Sequence, residues 1–171
     1  MNGDREQGFT SVKLLILVAV IGTNAAAVAP ALLRAQMISN ETSAIATLKK
    51  TTSAQVAYKL TCGNGGYAAT FVALGAGLNG GQGFPADLSS VVAPQKDGYN
   101  FMLGAGAGAA AGPHDCNGTA TVTEYYAAAL PMTNGETGTR SFAVNARNTL
   151  WQLPGGNPPR EPFGAPATTV Q

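Results

Sequence analysis

The one histidine of this 171-residue chain, His114, is followed directly by Asp115 and Cys116. An imidazole, a carboxylate and a thiol are the groups of nucleophilic catalysis, and the same types ligate zinc. The arrangement argues against both uses. Adjacent residues in a strand or turn point in different directions, and no second cluster supplies further ligands. The triplet reads as a loop ending in a structural cysteine, so neither an enzyme nor a metal or cofactor is expected. "GAGAGAAAGP" at 104–113 lacks the strand-to-helix context of a dinucleotide fingerprint and reads as a mobile low-complexity loop. "NET" at 40–42 and "NGT" at 117–119 fit the glycosylation sequon and read as chance matches. Tyr58, Tyr67, Tyr99, Tyr125, Tyr126 and Trp151 are either a stacking surface for DNA or sugars or, as is commoner, core residues at a helix–sheet seam.

Charged residues are only 11% of the chain and the formal net charge is +1. That field is too weak to support nucleic-acid binding through a basic surface. Glycine (22) and proline (10) fall mostly after residue 60, which implies a loop-rich C-terminal part. Alanine inflates the 45% hydrophobic content, so the core should be small. Cys62 and Cys116 are the only cysteines. In a reducing compartment they are two unrelated thiols. If the N-terminal segment sends the rest across a membrane, they form one disulfide. It would close a loop of about 55 residues, worth about 4 kcal/mol in the chain-entropy model.

These groups must be positioned by what precedes them. Residues 14–33, "LLILVAVIGTNAAAVAPALL", carry no charge. Such a run covers about 30 Å as a helix, the hydrocarbon thickness of a bilayer. It outlasts the core of a secretory signal, and Pro30 directly after "AVA" disfavours cleavage there. From Arg34 to Leu60 there is neither glycine nor proline. Ile38, Ile45, Leu48, Val56 and Leu60, with Thr52, define one helical face, and Glu41, Lys49, Lys50 and Lys59 the polar side. One helix of about 75–80 Å is expected from near Phe9 to about Leu60. Gly22 and Pro30 weaken it in water but are tolerated among packed or membrane helices.

"MNGDREQG" followed by "FTSVKLLILVAVIG" resembles the type IV pilins and the pseudopilins of type II secretion, which pair a short leader ending in glycine with a phenylalanine and an apolar stretch. Gly22 and Pro30 match the glycine and proline of that family's helix. "ALLRAQMISNETSAIATLKKTTSAQVAY", "GGYAATFVALG" and "RSFAVNARNTLW" are similar as well. The resemblance implies cleavage by a prepilin peptidase after Gly8, with Phe9 the new, N-methylated terminus. It implies a single-span precursor in the bacterial inner membrane, then a cell-surface or periplasmic filament built through the N-terminal helices. The implied partners are other pilin subunits, the prepilin peptidase, an inner-membrane assembly platform and the lipid bilayer. The implied roles are adhesion, twitching motility or DNA uptake. The alternatives are a secretion pseudopilin and a non-polymerising single-span protein with an extracytoplasmic domain.

One position departs from the pattern. Most of the family carries glutamate five residues into the mature chain, where it neutralises a neighbour's terminal amine. Lys13 stands there and presents a cation to a cation. The expected fold is α+β and pilin-like, a long helix with a transmembrane first half packed on a small antiparallel sheet. Its parts are a leader (1–8), a transmembrane and polymerisation half-helix (9–34), a globular domain (35–153) and a disordered Pro/Gly-rich tail (154–171). Expected strands are 97–103 after an Asp-Gly turn, 119–130, and a hairpin over 140–153 turning near 146–148.

Overall fold

The structure, a computed structural model, describes the backbone of residues 5–78 and 84–170; side chains at 5–10, 12 and 17–29 lie outside the described residues. It divides into two compact units, Met1–Gln36 and Met37–Gln171. Helix α1, Arg5–Leu60, runs through both, with Pro30 inside it. The "TCGNGG" segment ends it. The amide of Gly63 donates to the Tyr58 carbonyl (2.7 Å) and that of Gly65 to Lys59 (3.1 Å), capping its last carbonyls. Asn64 (φ 49°) and Gly65 (φ 91°) both turn through the left-handed region there.

Two parts of the expected fold are corrected. Among the described residues, no helix is long and apolar enough to cross a membrane. A span needs about 20 consecutive apolar residues. The transmembrane assignment of 9–34 is therefore withdrawn, and with it the localisation as a single-span inner-membrane precursor that later enters a surface or periplasmic filament. The sheet is also larger than the expected three or four strands. Among the described residues, nine strands form two sheets, and every named pairing is antiparallel.

The larger sheet has the order β2-β3-β6-β7-β8-β9, from Gln95–Lys96, Tyr99–Ala105, Tyr125–Pro131, Arg140–Asn145, Trp151–Pro154 and Thr168–Thr169. The smaller is β1-β5-β4, from Tyr67–Ala68, Ala120–Val122 and Ala111–His114. Short helices α2 (Phe71–Gly77) and α3 (Ala86–Ser89) lie between β1 and β2 in the chain. The 119–130 segment thus splits between two sheets instead of forming one strand. The 104–113 segment, expected as a mobile loop, contributes the start of β4. The tail is ordered where it supplies β9, which pairs with Trp151 and Gln152.

The core of the second unit joins Leu48 and Tyr58 of α1 with Tyr99, Phe101, Tyr125, Phe142 and Val144 of the sheet and Phe71 and Leu74 of α2. Most of the aromatic residues are core, as the commoner reading has it. The helix face differs from expectation. Ile38 (64% exposed) and Leu60 (78%) face solvent, whereas Glu41, Ala44, Leu48, Thr51, Gln55 and Tyr58 are buried. Their separations of 3 and 4 residues keep them on one side of a helix. Half of that stripe is polar, so apolar periodicity pointed to the wrong face.

Candidate functional site

Of the residues expected to serve processing and assembly, Gly8 and Phe9 lie in the first described turns of α1, from Arg5 onward. Their side chains, and that of Gly22, lie outside the described residues. Lys13 is exposed on the same helix. Pro30 is exposed, and α1 continues through it. The described apolar side chains here are largely exposed too: Leu14 63%, Leu15 74%, Ile16 57%, Leu32 65% and Leu33 62%.

The second unit holds its share of α1 by polar grips. Glu41 is buried and all its hydrogen bonds go to the start of β7. Its Oε1 accepts from the Thr139 amide (2.8 Å) and hydroxyl (2.9 Å), and its Oε2 from Arg140 Nε (2.9 Å) and Nη2 (2.6 Å). Burial pushes the Glu41 carboxyl up, but the bonds from Arg140 and Thr139 outweigh it and hold the group below its ordinary range. Asn40 Nδ2 donates to the Thr137 carbonyl (2.9 Å). Ser43 bonds Asp97 in the β2–β3 turn. Further along, the Gln55 amide exchanges a pair of bonds with the backbone of Ala68 in β1 (2.8 and 2.9 Å).

The helix end is fixed by the residues that first suggested chemistry. Cys62 and Cys116 form a disulfide with Cα atoms 4.8 Å apart, and the Cys116 amide donates to the Cys62 carbonyl (2.8 Å). Asp115 is buried beside it. Its Oδ2 accepts from the Tyr58 hydroxyl (2.7 Å), its Oδ1 from the amides of Asn117 (2.8 Å) and Thr119 (2.6 Å). Burial again raises this carboxyl, and again the donors, led by Tyr58, overcome it and hold it low. The same burial and bond push the Tyr58 hydroxyl up. His114 is exposed, and its Nδ1 meets the Gly118 carbonyl at 2.9 Å. The three side chains do not converge on a common point of attack, and among the described residues no group of His, Cys, Asp and Glu could hold a metal.

Sequence reasoning missed Glu41, Gln55 and Asp115 as anchors, along with Glu161 and Phe163 of the tail. Glu161 Oε2 accepts from the Ala107 amide (2.6 Å) and Oε1 from Asn145 Nδ2 (2.5 Å). Phe163 stacks on Trp151, with ring centroids 5.4 Å apart. The one local signal was a charged or amide residue on the stripe of the helix that also carries Leu48. Comparison with protein families, with curated proteins and with solved structures finds no match.

Proposed function

We propose that this chain is a structural subunit of a filament of the type IV pilin kind, cut by a prepilin peptidase after Gly8 and assembled through α1 with copies of itself or related subunits. The observation that carries this reading is the exposure of Leu14, Leu15, Ile16, Leu32 and Leu33 on a helix whose later turns are anchored in a folded unit. Exposed apolar side chains gathered on one helix suit an interaction with another chain. Each such side chain is worth roughly 1.5–3 kcal/mol when removed from water. The small residues of the same segment, Ala25, Ala26, Ala27, Ala29 and Ala31 among them, let helix backbones approach closely. The leader "MNGDREQG" ahead of Phe9 supplies the processing pattern. No catalytic step is assigned.

The test is the intact mass of the chain expressed beside a prepilin peptidase. A mature terminus at Phe9, with or without one added methyl group, supports the reading; a terminus still at Met1 overturns it. A second measurement addresses Lys13. Lys13→Glu restores the carboxylate that the resemblance places there, and the yield of filaments should rise. An unchanged yield would show that Lys13 does not limit assembly.

A further inference from the structure

At the β8 end of the larger sheet, a cavity of about 290 Å³ lies between β7, β8 and the tail. Three kinds of group line it. The first is an aromatic wall, Trp151 stacked on Phe163 with planes 21° apart, both half-buried. The second is the Glu161 carboxylate, immobilised by the Ala107 amide and the Asn145 side chain. A carboxylate has about four acceptor sites and these two bonds use half of them. The third is a set of free donors. Arg147 and Thr149 are exposed at the rim, and neither the guanidinium nor the hydroxyl makes a polar contact with another described residue. Only the backbone amide of Arg147 is engaged, with Asn145 Oδ1 at 3.0 Å.

We infer that this cavity binds one neutral pyranose ring, as a free sugar or the end of a glycan. The C–H face of a pyranose is apolar and fits an aromatic wall. Its hydroxyls donate and accept at once, so neighbouring hydroxyls can give to Glu161 and take from Arg147 and Thr149. The alternatives satisfy less of the site. A hydrocarbon ligand would strip water from the carboxylate and guanidinium and give nothing back. An acidic sugar would pair with Arg147 but set its charge against Glu161. The volume stands near the lower limit for ligand pockets, which suits a single ring rather than a chain threaded through. The inference rests on the second unit alone, so it stands or falls separately from the filament reading.

Trp151 is the only tryptophan in the chain, so intrinsic fluorescence reports on this cavity directly. The full chain, held in a detergent without a sugar headgroup, is titrated with the methyl glycosides of glucose, galactose, mannose, N-acetylglucosamine and N-acetylgalactosamine. At least one should change the emission saturably, with a dissociation constant in the millimolar range expected of so small a ligand. Arg147→Ala lies at the surface and should leave the fold intact while weakening that binding about tenfold or more, since it removes a charged donor. Lys50→Ala, which removes an exposed charge elsewhere, should bind as the parent does. No saturable change with any of the five glycosides overturns the inference. So does an Arg147→Ala titration that overlays the parent, and tighter binding of methyl glucuronide than of methyl glucoside overturns the neutral-sugar assignment.

Discussion

The two stretches of α1 invert the usual rule for a helix. Before Gln36, the described leucines and isoleucine are more than half exposed; after Met37, a glutamate, a glutamine and two threonines are buried. The later stretch explains itself within the chain. Each buried polar group has a partner, and no buried side-chain nitrogen or oxygen among the described residues is left without one. Those partners, Thr139, Arg140, Ala68 and Asp115, come from distant parts of the sequence, so the helix is registered against the sheet by directional bonds as well as by packing. In the earlier stretch the described leucines and isoleucine are exposed instead. One part of a single helix is therefore fixed by polar specificity, and the other offers non-directional apolar area suited to repeated association.

Removing what fixes the later stretch should produce the largest effects. Replacing Cys62 and Cys116 together by serine frees a loop with a sequence separation of 54 residues. About 4 kcal/mol of stability should be lost, read as a lower urea midpoint of Trp151 fluorescence. Glu41→Ala should come next, at about 3 kcal/mol. It strands the Thr139 amide and leaves Arg140 only its Nη1 bond to Gln152 (2.7 Å), although the partial exposure of Arg140 keeps the loss from reaching the extreme of a fully buried pair. If Glu41→Ala proved neutral, the claim that polar grips register α1 would fail.

The signals that could be read from sequence are local ones. The Asp97–Gly98 turn is real, with φ of 46° and 73°, and β3 follows it. The 140–153 hairpin is present as β7 and β8, with Asn148 at φ 61° in its connection. Both depend on turn chemistry within a few residues. The buried face of α1 was not legible, because Gln55 and Glu41 are core residues only by virtue of partners 13 and 98 residues away. The tail was misread for a similar reason. Its proline and glycine content suggests disorder, but Phe163 and Glu161 dock on surfaces that exist only once β6, β7 and β8 are assembled. At the candidate site, Cys116 does lie in a turn, but His114 ends strand β4, and neither that nor the burial of Asp115 beneath Tyr58 was legible from the residue types.

Smaller effects test how each grip works. Tyr58→Phe removes one donor from Asp115 and should cost about 1–2 kcal/mol at neutral pH. Glu41 and Asp115 both have native pKa values below their ordinary ones, so the unfolded chain takes up protons before the native one does. Their stabilisation is complete above the ordinary carboxylate range, near pH 4, and is lost as pH falls through the lowered native values. The urea midpoint should thus be flat from neutral pH down to about pH 5 and then decline. Glu41→Gln and Tyr58→Phe should each flatten that decline, because the first removes one of the two carboxyls and the second the leading bond that lowers the other. A decline of the same steepness in both variants would move the acid sensitivity to other carboxylates.

The smallest effect on stability should come from the earlier stretch, and there the contrast is sharpest. Leu15→Ser and Leu33→Ser change side chains that are 74% and 62% exposed. Exposed substitutions away from special features stay within about 0.5 kcal/mol, so the urea midpoint should not move. If the stretch is an assembly surface, the same changes should still lower the yield of filaments, since each removes apolar area that a second subunit would cover. Such a pair of results separates folding from association within one helix. A fall in the midpoint as large as that of Glu41→Ala would mean that these leucines already have a partner within the chain, and the inversion along α1 would disappear.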